Sequence, residues 1–377
     1  MDFNVVRQYN FPTTVRFGAG AVNELAGHLK ANQLSKPLLV TDPTVVQLDF
    51  FKKIKEKISA EVFSDIHKNP VKSDVLKGGD VYVATDRDCI IGLGGGAAMD
   101  VARAIALRIH HRRDLFDYDD LIGGDKYVTE DVPYFITIPT TSGTGSEVGR
   151  SAIISEDDTH RKRILFSPKL LAKIVFADPM LTMELPPFIT AATGMDALTH
   201  NMEAFIAKDF HPLCEGIGLE GVSLINSVIA QAVNKPTLES RSKMMIASLM
   251  GAVAFQKGLG VVHSLAHPLS TLLDTHHGLA NAVNLPYGMR FNISGFEDRF
   301  RRLARAMELK EETGEAVVER LFALNNEISL PVKLRDIGVK QEHIGPLSDL
   351  AIADFAHPNN PKPVTREDFK KLYGEAL

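Results

Sequence analysis

Apolar positions in the first half of the chain come in short solid runs, separated by stretches with helical spacing. Val15-Arg-Phe17 before the turn Gly18-Ala-Gly20 reads as a strand, and residues 21–31 follow with apolar side chains at helical intervals. Pro37-Leu-Leu-Val-Thr-Asp42 predicts a buried parallel strand carrying Asp42 at its carboxyl end. A helix over 43–59 then turns Val45, Val46, Phe50, Phe51 and Ile54 inward. Strands are expected again at 61–63, 88–93 and 134–138, with a helix over 97–107. Strand and helix alternating at this spacing predict a doubly wound, mostly parallel sheet covered by helices. Residues 71–88 are short and polar for such a unit, which leaves one covering helix without support.

Beyond Asp178-Pro179 and Pro186-Pro187 the strand signals stop and helical patterning runs nearly to the C-terminus. Pro186-Pro187 marks a domain boundary, giving an α/β domain over 1–185 and an all-α domain over 186–377. A helix over 190–207 puts Met195, Leu198, Met202, Phe205 and Ile206 on one face and Asp196, His200 and Glu203 on another. An apolar helix over 241–256 breaks at Gly258 and Gly260. A second restarts at Val262, and a third follows His277 and is expected to end at Pro286.

Composition narrows the function classes. With 377 residues, 45% of them hydrophobic, and a formal net charge of −5, the chain builds a large core and lacks the basic stripe of a nucleic-acid binder. The basic cluster Arg108-Ile-His-His-Arg-Arg113 reads as a solvated helix end. Cys89 and Cys214 are the only cysteines and lie far apart, which fits a reducing cytoplasm. Met1-Asp2-Phe3-Asn4 has no charged or apolar leader pattern, and no run of about 18 apolar residues predicts a membrane span.

Three stretches carry chemistry. Gly92-Leu-Gly94-Gly95-Gly96-Ala97-Ala-Met-Asp100 lies between a strand end and a helix start, where backbone N–H groups and the helix dipole suit a pyrophosphate. It departs from the usual dinucleotide fingerprint, because the candidate ribose acid, Asp42, lies upstream of it. Ile138-Pro139-Thr140-Thr141-Ser-Gly-Thr144-Gly-Ser146-Glu147 is a hydroxyl-rich loop suited to phosphate, ribose and amide contacts, or to a plain turn. The histidines are the third. Asp196 and His200 are four apart, as are His263 and His267, and His277 opens a further helix. Each alone reads equally as a packed or surface histidine. Together they offer a carboxylate and imidazoles from three elements, a donor set for Fe²⁺ or Zn²⁺ with room for a substrate oxygen.

The runs Gly94–Asp100, Ile138–Val148, Ala192–His200, Val262–Pro268 and His277–Ala282, in that order, resemble the iron-containing (group III) alcohol dehydrogenase family. The resemblance implies a dehydroquinate synthase-like architecture: a Rossmann-like variant followed by a helical domain. It implies metal ligands Asp196, His200, His263 and His277, and His267 beside the substrate, lining the pocket or relaying a proton. It implies NAD bound through Asp42 at the adenine ribose, Gly94, Gly95, Gly96 and Ala97 at the pyrophosphate, and further contacts from Asn69, Asp100, Thr140, Thr141, Thr144, Ser146, Lys162 and Leu181. The family usually carries serine at Ala97 and lysine at Arg103; the missing hydroxyl removes one hydrogen bond worth about 1 kcal/mol.

The implied activity is hydride exchange between nicotinamide and a small primary or secondary alcohol held by the metal, Fe²⁺ with Zn²⁺ as the alternative. NAD is expected over NADP, because Asp42 repels a 2′-phosphate. Other readings on the same scaffold are a metal-free reductase similar to maleylacetate reductases and a dehydroquinate synthase-type lyase. A homodimer or higher homo-oligomer is the family default, with no nucleic-acid or membrane partner.

Overall fold

The computed structural model describes residues 7–9 and 13–377, so the reading of Met1–Asn4 lies outside the described residues. The chain forms two compact units: one of residues 1–141 and 146–183, the other of residues 142–145 and 184–377.

The first unit is built on a seven-stranded sheet. Its strands are β1 (Arg7–Tyr9), β2 (Thr14–Phe17), β3 (Pro37–Val40), β4 (Glu61–Phe63), β5 (Cys89–Gly94), β6 (Tyr134–Pro139) and β9 (Ile174–Ala177), in the order β1-β2-β9-β6-β5-β3-β4. Within this sheet, among the described residues, the β1–β2 pair is antiparallel and the other pairs are parallel. A separate hairpin joins β7 (Ser151–Ser155) to β8 (Lys162–Phe166). Strands buried on both faces need apolar residues at every position, and their alternation sorts them. Leu38, Val40 and Ile90 pack with α3 (Lys72–Ala84) and α4 (Gly96–His110). Leu39 and Ile91 pack with α1 (Leu25–Ala31) and α2 (Asp49–Ile58) on the other face.

Two expectations for this unit are corrected. The polar stretch after Val71 does form a covering helix, α3. Its start is capped by the buried Asp74 carboxylate, which accepts from Val71 N at 3.0 Å. Gly78 in this helix is a packing surface: a Cβ there would lie 2.3 Å from Ile105 Cδ1 of α4. The basic cluster after α4 is not wholly solvated either. His111 is buried, its Nδ1 on the Leu107 carbonyl and its Nε2 accepting from Thr129 N. That second bond sets the tautomer as Nδ1–H and makes the ring a helix-end cap.

The second unit is helical: α5 (Pro187–Ile206), α6 (Pro212–Asn234), α7 (Leu238–Ala254), α8 (Val261–Leu273), α9 (His277–Asn292), α10 (Glu297–Ala306), α11 (Gly314–Glu327), α12 (Ile344–Ile352) and α13 (Arg366–Ala376). By length and composition α6 passes for a membrane span, but Val222, Ile225, Ile229 and Ala232 pack into this unit's core. The helix expected to stop at Pro286 continues to Asn292. Proline deprives the carbonyl four residues back of its partner. Here Asn325 Nδ2 donates to that carbonyl, Ala282 O, at 2.8 Å, and the helix passes through.

The short excursion of residues 142–145 into this unit needs small residues. A Cβ at Gly143 would lie 2.9 Å from Thr193 Cβ, and one at Gly145 2.3 Å from Ala252 Cβ. Ser248 Oγ donates to Gly143 O and holds the loop on α7.

Candidate metal centre and cofactor loops

In the first unit, the chain leaves β3 toward the sheet edge at β4 and leaves β5 in the opposite direction, toward β6. Strand ends that diverge in this way open a crevice at their carboxyl termini, the usual ligand position of doubly wound sheets. Asp42 and Gly94 to Gly96 occupy it. Asp42 Oδ1 accepts from Thr44 N and Val45 N at 2.8 and 2.9 Å, closing a tight turn. Its Oδ2 faces Gly94, lying 3.4 Å from where a Cβ there would be. Gly94 has φ +150, and a Cβ would also meet Ala98 Cβ at 2.8 Å, so glycine is required for α4 to begin this close to the strand. Gly95, Gly96 and Ala97 are half-buried at the start of α4, and Thr141 packs beside Gly95. Thr140 is buried and donates its N–H to Gly94 O, tying the two loops together.

The other candidate contacts fall differently. Asn69 is exposed in the loop after β4, Lys162 opens β8, and Leu181 is buried in the apolar cluster with α1 and α2. Thr144 belongs to the excursion 142–145. Asp100 and Ser146 are engaged in a buried polar network. Asp100 accepts from Ser146 Oγ at 2.7 Å, from Ile153 N at 3.1 Å and from Arg103 at 3.1 Å. Arg103, fully buried, also donates to the carbonyls of Leu170, Ser146 and Ser151 and to Ser146 Oγ. The network ties α4 to the stretch after the hydroxyl loop. Beside it, burial pushes the Glu147 carboxyl up to about 7, against a backbone hydrogen bond and the charge of Arg103, which pull the other way.

In the second unit, Asp196 and His200 lie one turn apart on α5, His263 lies in the first turn of α8, and His277 begins α9. One ligand atom from each lies within 4.8 Å of every other. The His200 and His277 Nε2 atoms are 3.8 and 3.4 Å from Asp196 Oδ1. The His200 and His263 rings stack at 4.7 Å, and Phe255 covers His200 at 5.2 Å.

The residues fit a divalent cation. Burial holds His200 down at about 4 and His263 well below its ordinary value, so both imidazoles are neutral. Burial alone would raise Asp196, but the positive charge that His200, His277 and His263 carry when protonated, with a hydrogen bond to His277, holds it well below the usual carboxylate range, so it ionises before those rings lose their protons. Neutral imidazole and ionised carboxylate are the forms that coordinate a metal. The polar atoms point the same way. Four potential ligand groups converge, and Asn281 Nδ2 donates among them, to Asp196 Oδ1 at 2.7 Å, lying within 3.4 and 3.2 Å of His263 and His277 Nε2.

His267 stands at the edge of the cluster. Its ring stacks on His277 at 5.4 Å and on Phe355 at 5.4 Å. Its Nδ1 donates to Asp354 Oδ2 at 2.7 Å, and Asp354 is held by Ser264 Oγ and Ala356 N. Asp354, Asn281 and the use made of Glu203 were not singled out from sequence. Glu203 was visible on the ligand face of its helix, whereas Asp354 lies 87 positions from its partner with no local pattern.

Comparison with known proteins agrees with both halves of this picture. The chain is 36% identical over 378 residues to 4-hydroxybutyrate dehydrogenase of Cupriavidus necator, covering 97% of this chain and 98% of that one. It is 33% identical to lactaldehyde reductase of Escherichia coli (strain K12), covering 96% and 97%. A crystal structure of 1,3-propanediol oxidoreductase superposes with a TM-score of 0.92 at 30% identity, covering 100% of both chains. The family profile described as iron-containing alcohol dehydrogenase matches residues 12–179, and that of the family's C-terminal part matches residues 190–377. With the glycine and hydroxyl loops in the first match and the cluster of Asp196, His200, His263 and His277 in the second, the chain belongs to the iron-containing alcohol dehydrogenase family.

Proposed function

We propose that the protein interconverts a small primary or secondary alcohol and its aldehyde or ketone, with NAD(H) as hydride carrier and a divalent metal at Asp196, His200, His263 and His277. The observation that carries this reading is the convergence of those four potential ligand atoms within 4.8 Å. A cation bound there supplies Lewis acidity toward a substrate oxygen.

The chain's own groups do the rest. The N–H groups of Gly95, Gly96 and Ala97, with the α4 dipole behind them, bind the pyrophosphate. Asp42 Oδ2 accepts from a ribose hydroxyl and disfavours a 2′-phosphate, which selects NAD. Asn281 orients Asp196, and Phe255 keeps water off the His200 ring. Asp354 holds the His267 proton at Nδ1, so that Nε2 is the atom that takes or returns a proton at the substrate.

Fe²⁺ is the proposed metal, from the family, with Zn²⁺ the alternative that an imidazole-rich set also accepts. Activity of the relatives toward 4-hydroxybutyrate, lactaldehyde and 1,3-propanediol makes small hydroxy-substituted alcohols and aldehydes the proposed substrate class. A cytoplasmic homo-oligomer is the proposed working form, to be checked by sedimentation.

The test is anaerobic reconstitution of metal-stripped protein with Fe²⁺ or Zn²⁺, followed by NADH absorbance over a panel of such alcohols. Full activity without metal would refute the reading and favour a metal-free reductase on this scaffold.

A further inference from the structure

We infer that Glu203 is a positioning residue for the metal centre: it holds the proton of His263 on Nδ1 and so presents Nε2 to the cation. The inference rests on the metal reading above and concerns a residue that ligates nothing itself.

Three observations carry it. Glu203 lies on α5 seven residues after Asp196 and three after His200, so the ligand face of that helix continues into it. Its carboxylate is fully buried and meets the first turn of α8. Oε1 accepts from Val262 N at 2.7 Å; Oε2 accepts from His263 N at 3.2 Å and lies 2.5 Å from His263 Nδ1. Both oxygens already accept backbone N–H groups, so the ring nitrogen is the third donor and carries the proton. The lone pair of His263 is then left on Nε2, the atom that faces Asn281 and the cluster.

The helix end is organised around this contact. The first N–H groups of an α-helix have no partner within the helix. In α8 those of Val262 and His263 are met by Glu203, and that of Val261 is met by Asn360 Oδ1 at 3.2 Å. The residue before the helix is Gly260, where a Cβ would lie 2.9 Å from Glu203 Oε1 and 2.8 Å from Asn360 Oδ1. The glycine leaves room for the carboxylate. One side chain thus caps α8, fixes its rotation against α5 and sets the tautomer of the ligand it carries. A negative charge at a helix start is also favoured by the dipole.

The experiment compares metal-stripped wild type, Glu203→Gln and Gly260→Ala by competition of Zn²⁺ or Co²⁺ with a chromophoric chelator. NAD⁺ affinity reports that the first unit is intact, and circular dichroism reports the helices. Glu203→Gln, whose amide turns one acceptor into a donor facing N–H groups, is expected to weaken metal binding by about 10- to 100-fold. It should also alter the ligand-field spectrum of the Co²⁺ form. Gly260→Ala is expected to weaken binding in the same direction by less. A folded Glu203→Gln with wild-type affinity and spectrum overturns the proposal. Should that variant not fold, long-range proton–nitrogen spectra of the wild-type apoprotein decide: an Nδ1–H tautomer at His263 supports the role, and an Nε2–H tautomer overturns it. Absence of metal affinity in the wild type itself overturns the metal reading, and this role with it.

Discussion

Replacing Asp42 by Asn tests how the fold chooses its cofactor. The substitution keeps the turn, because Asn Oδ1 still accepts from Thr44 N and Val45 N, bonds of 2.8 and 2.9 Å in the native chain. What changes is Oδ2, the atom facing Gly94, which becomes an uncharged NH₂. Losing charge assistance on one hydrogen bond to the ribose of NAD costs about 1.4 kcal/mol, or roughly tenfold in kcat/KM. For NADP the balance reverses. A dianionic phosphate about 5 Å from a carboxylate is repelled by roughly 2 kcal/mol even at the dielectric of water, and more in a half-buried crevice. Removing that repulsion while weakening NAD should lower the NAD-to-NADP ratio of kcat/KM by about two orders of magnitude. Initial rates with both cofactors on one alcohol measure it, and the ratio cancels differences in metal loading. A ratio that moves by less than about threefold would show that Asp42 faces no ribose and would refute the reasoning. Asp42→Gly should narrow the preference too, with an added stability loss of about 1 kcal/mol from the opened turn.

Three other outcomes are expected. Glu147 is fully buried with its carboxyl raised from 4.5 to about 7, so the folded state binds this proton more tightly than the unfolded chain does. Its stabilising contribution is complete below about pH 4.5 and is lost by about 3 kcal/mol as pH rises to about 7. In urea unfolding, the stability of wild type relative to Glu147→Gln should fall as pH rises across the window, and a relative stability that rises with pH would refute the assignment. Arg103→Met strands the buried Asp100 carboxylate and should cost about 3 to 5 kcal/mol in the same assay, whereas Arg103→Lys, which keeps the charge but reaches fewer carbonyls, should cost less. Zn²⁺ at about 100 times its dissociation constant should stabilise the second unit by about 2.7 kcal/mol, seen in calorimetry as a rise in its melting temperature that EDTA reverses.

Local order in this chain was legible wherever burial is set by spacing alone. Solid runs such as Pro37–Val40 and Cys89–Gly94 are strands covered on both faces, and no other short element needs every position apolar. Asp196 and His200 share a helix face because four residues make about one turn. Two elements were misread where a residue's local cost is met from far away. Gly78 lowers helix propensity but lets Ile105 of α4 approach α3, and Pro286 breaks a backbone bond that Asn325 replaces.

By itself, then, the amino-acid order determined the alternating α/β half, the helical half, and which side chains bear the chemistry, because helix and strand periodicity act over a few residues. Tertiary structure alone decided that four of those side chains meet within 4.8 Å, that Asp100 and Ser146 join a buried network with Arg103, and that Glu203 and Asp354 each hold a histidine ring. Such partners are separated by tens of residues along the chain, and only the packing of helices against one another brings a buried carboxylate to a particular ring nitrogen.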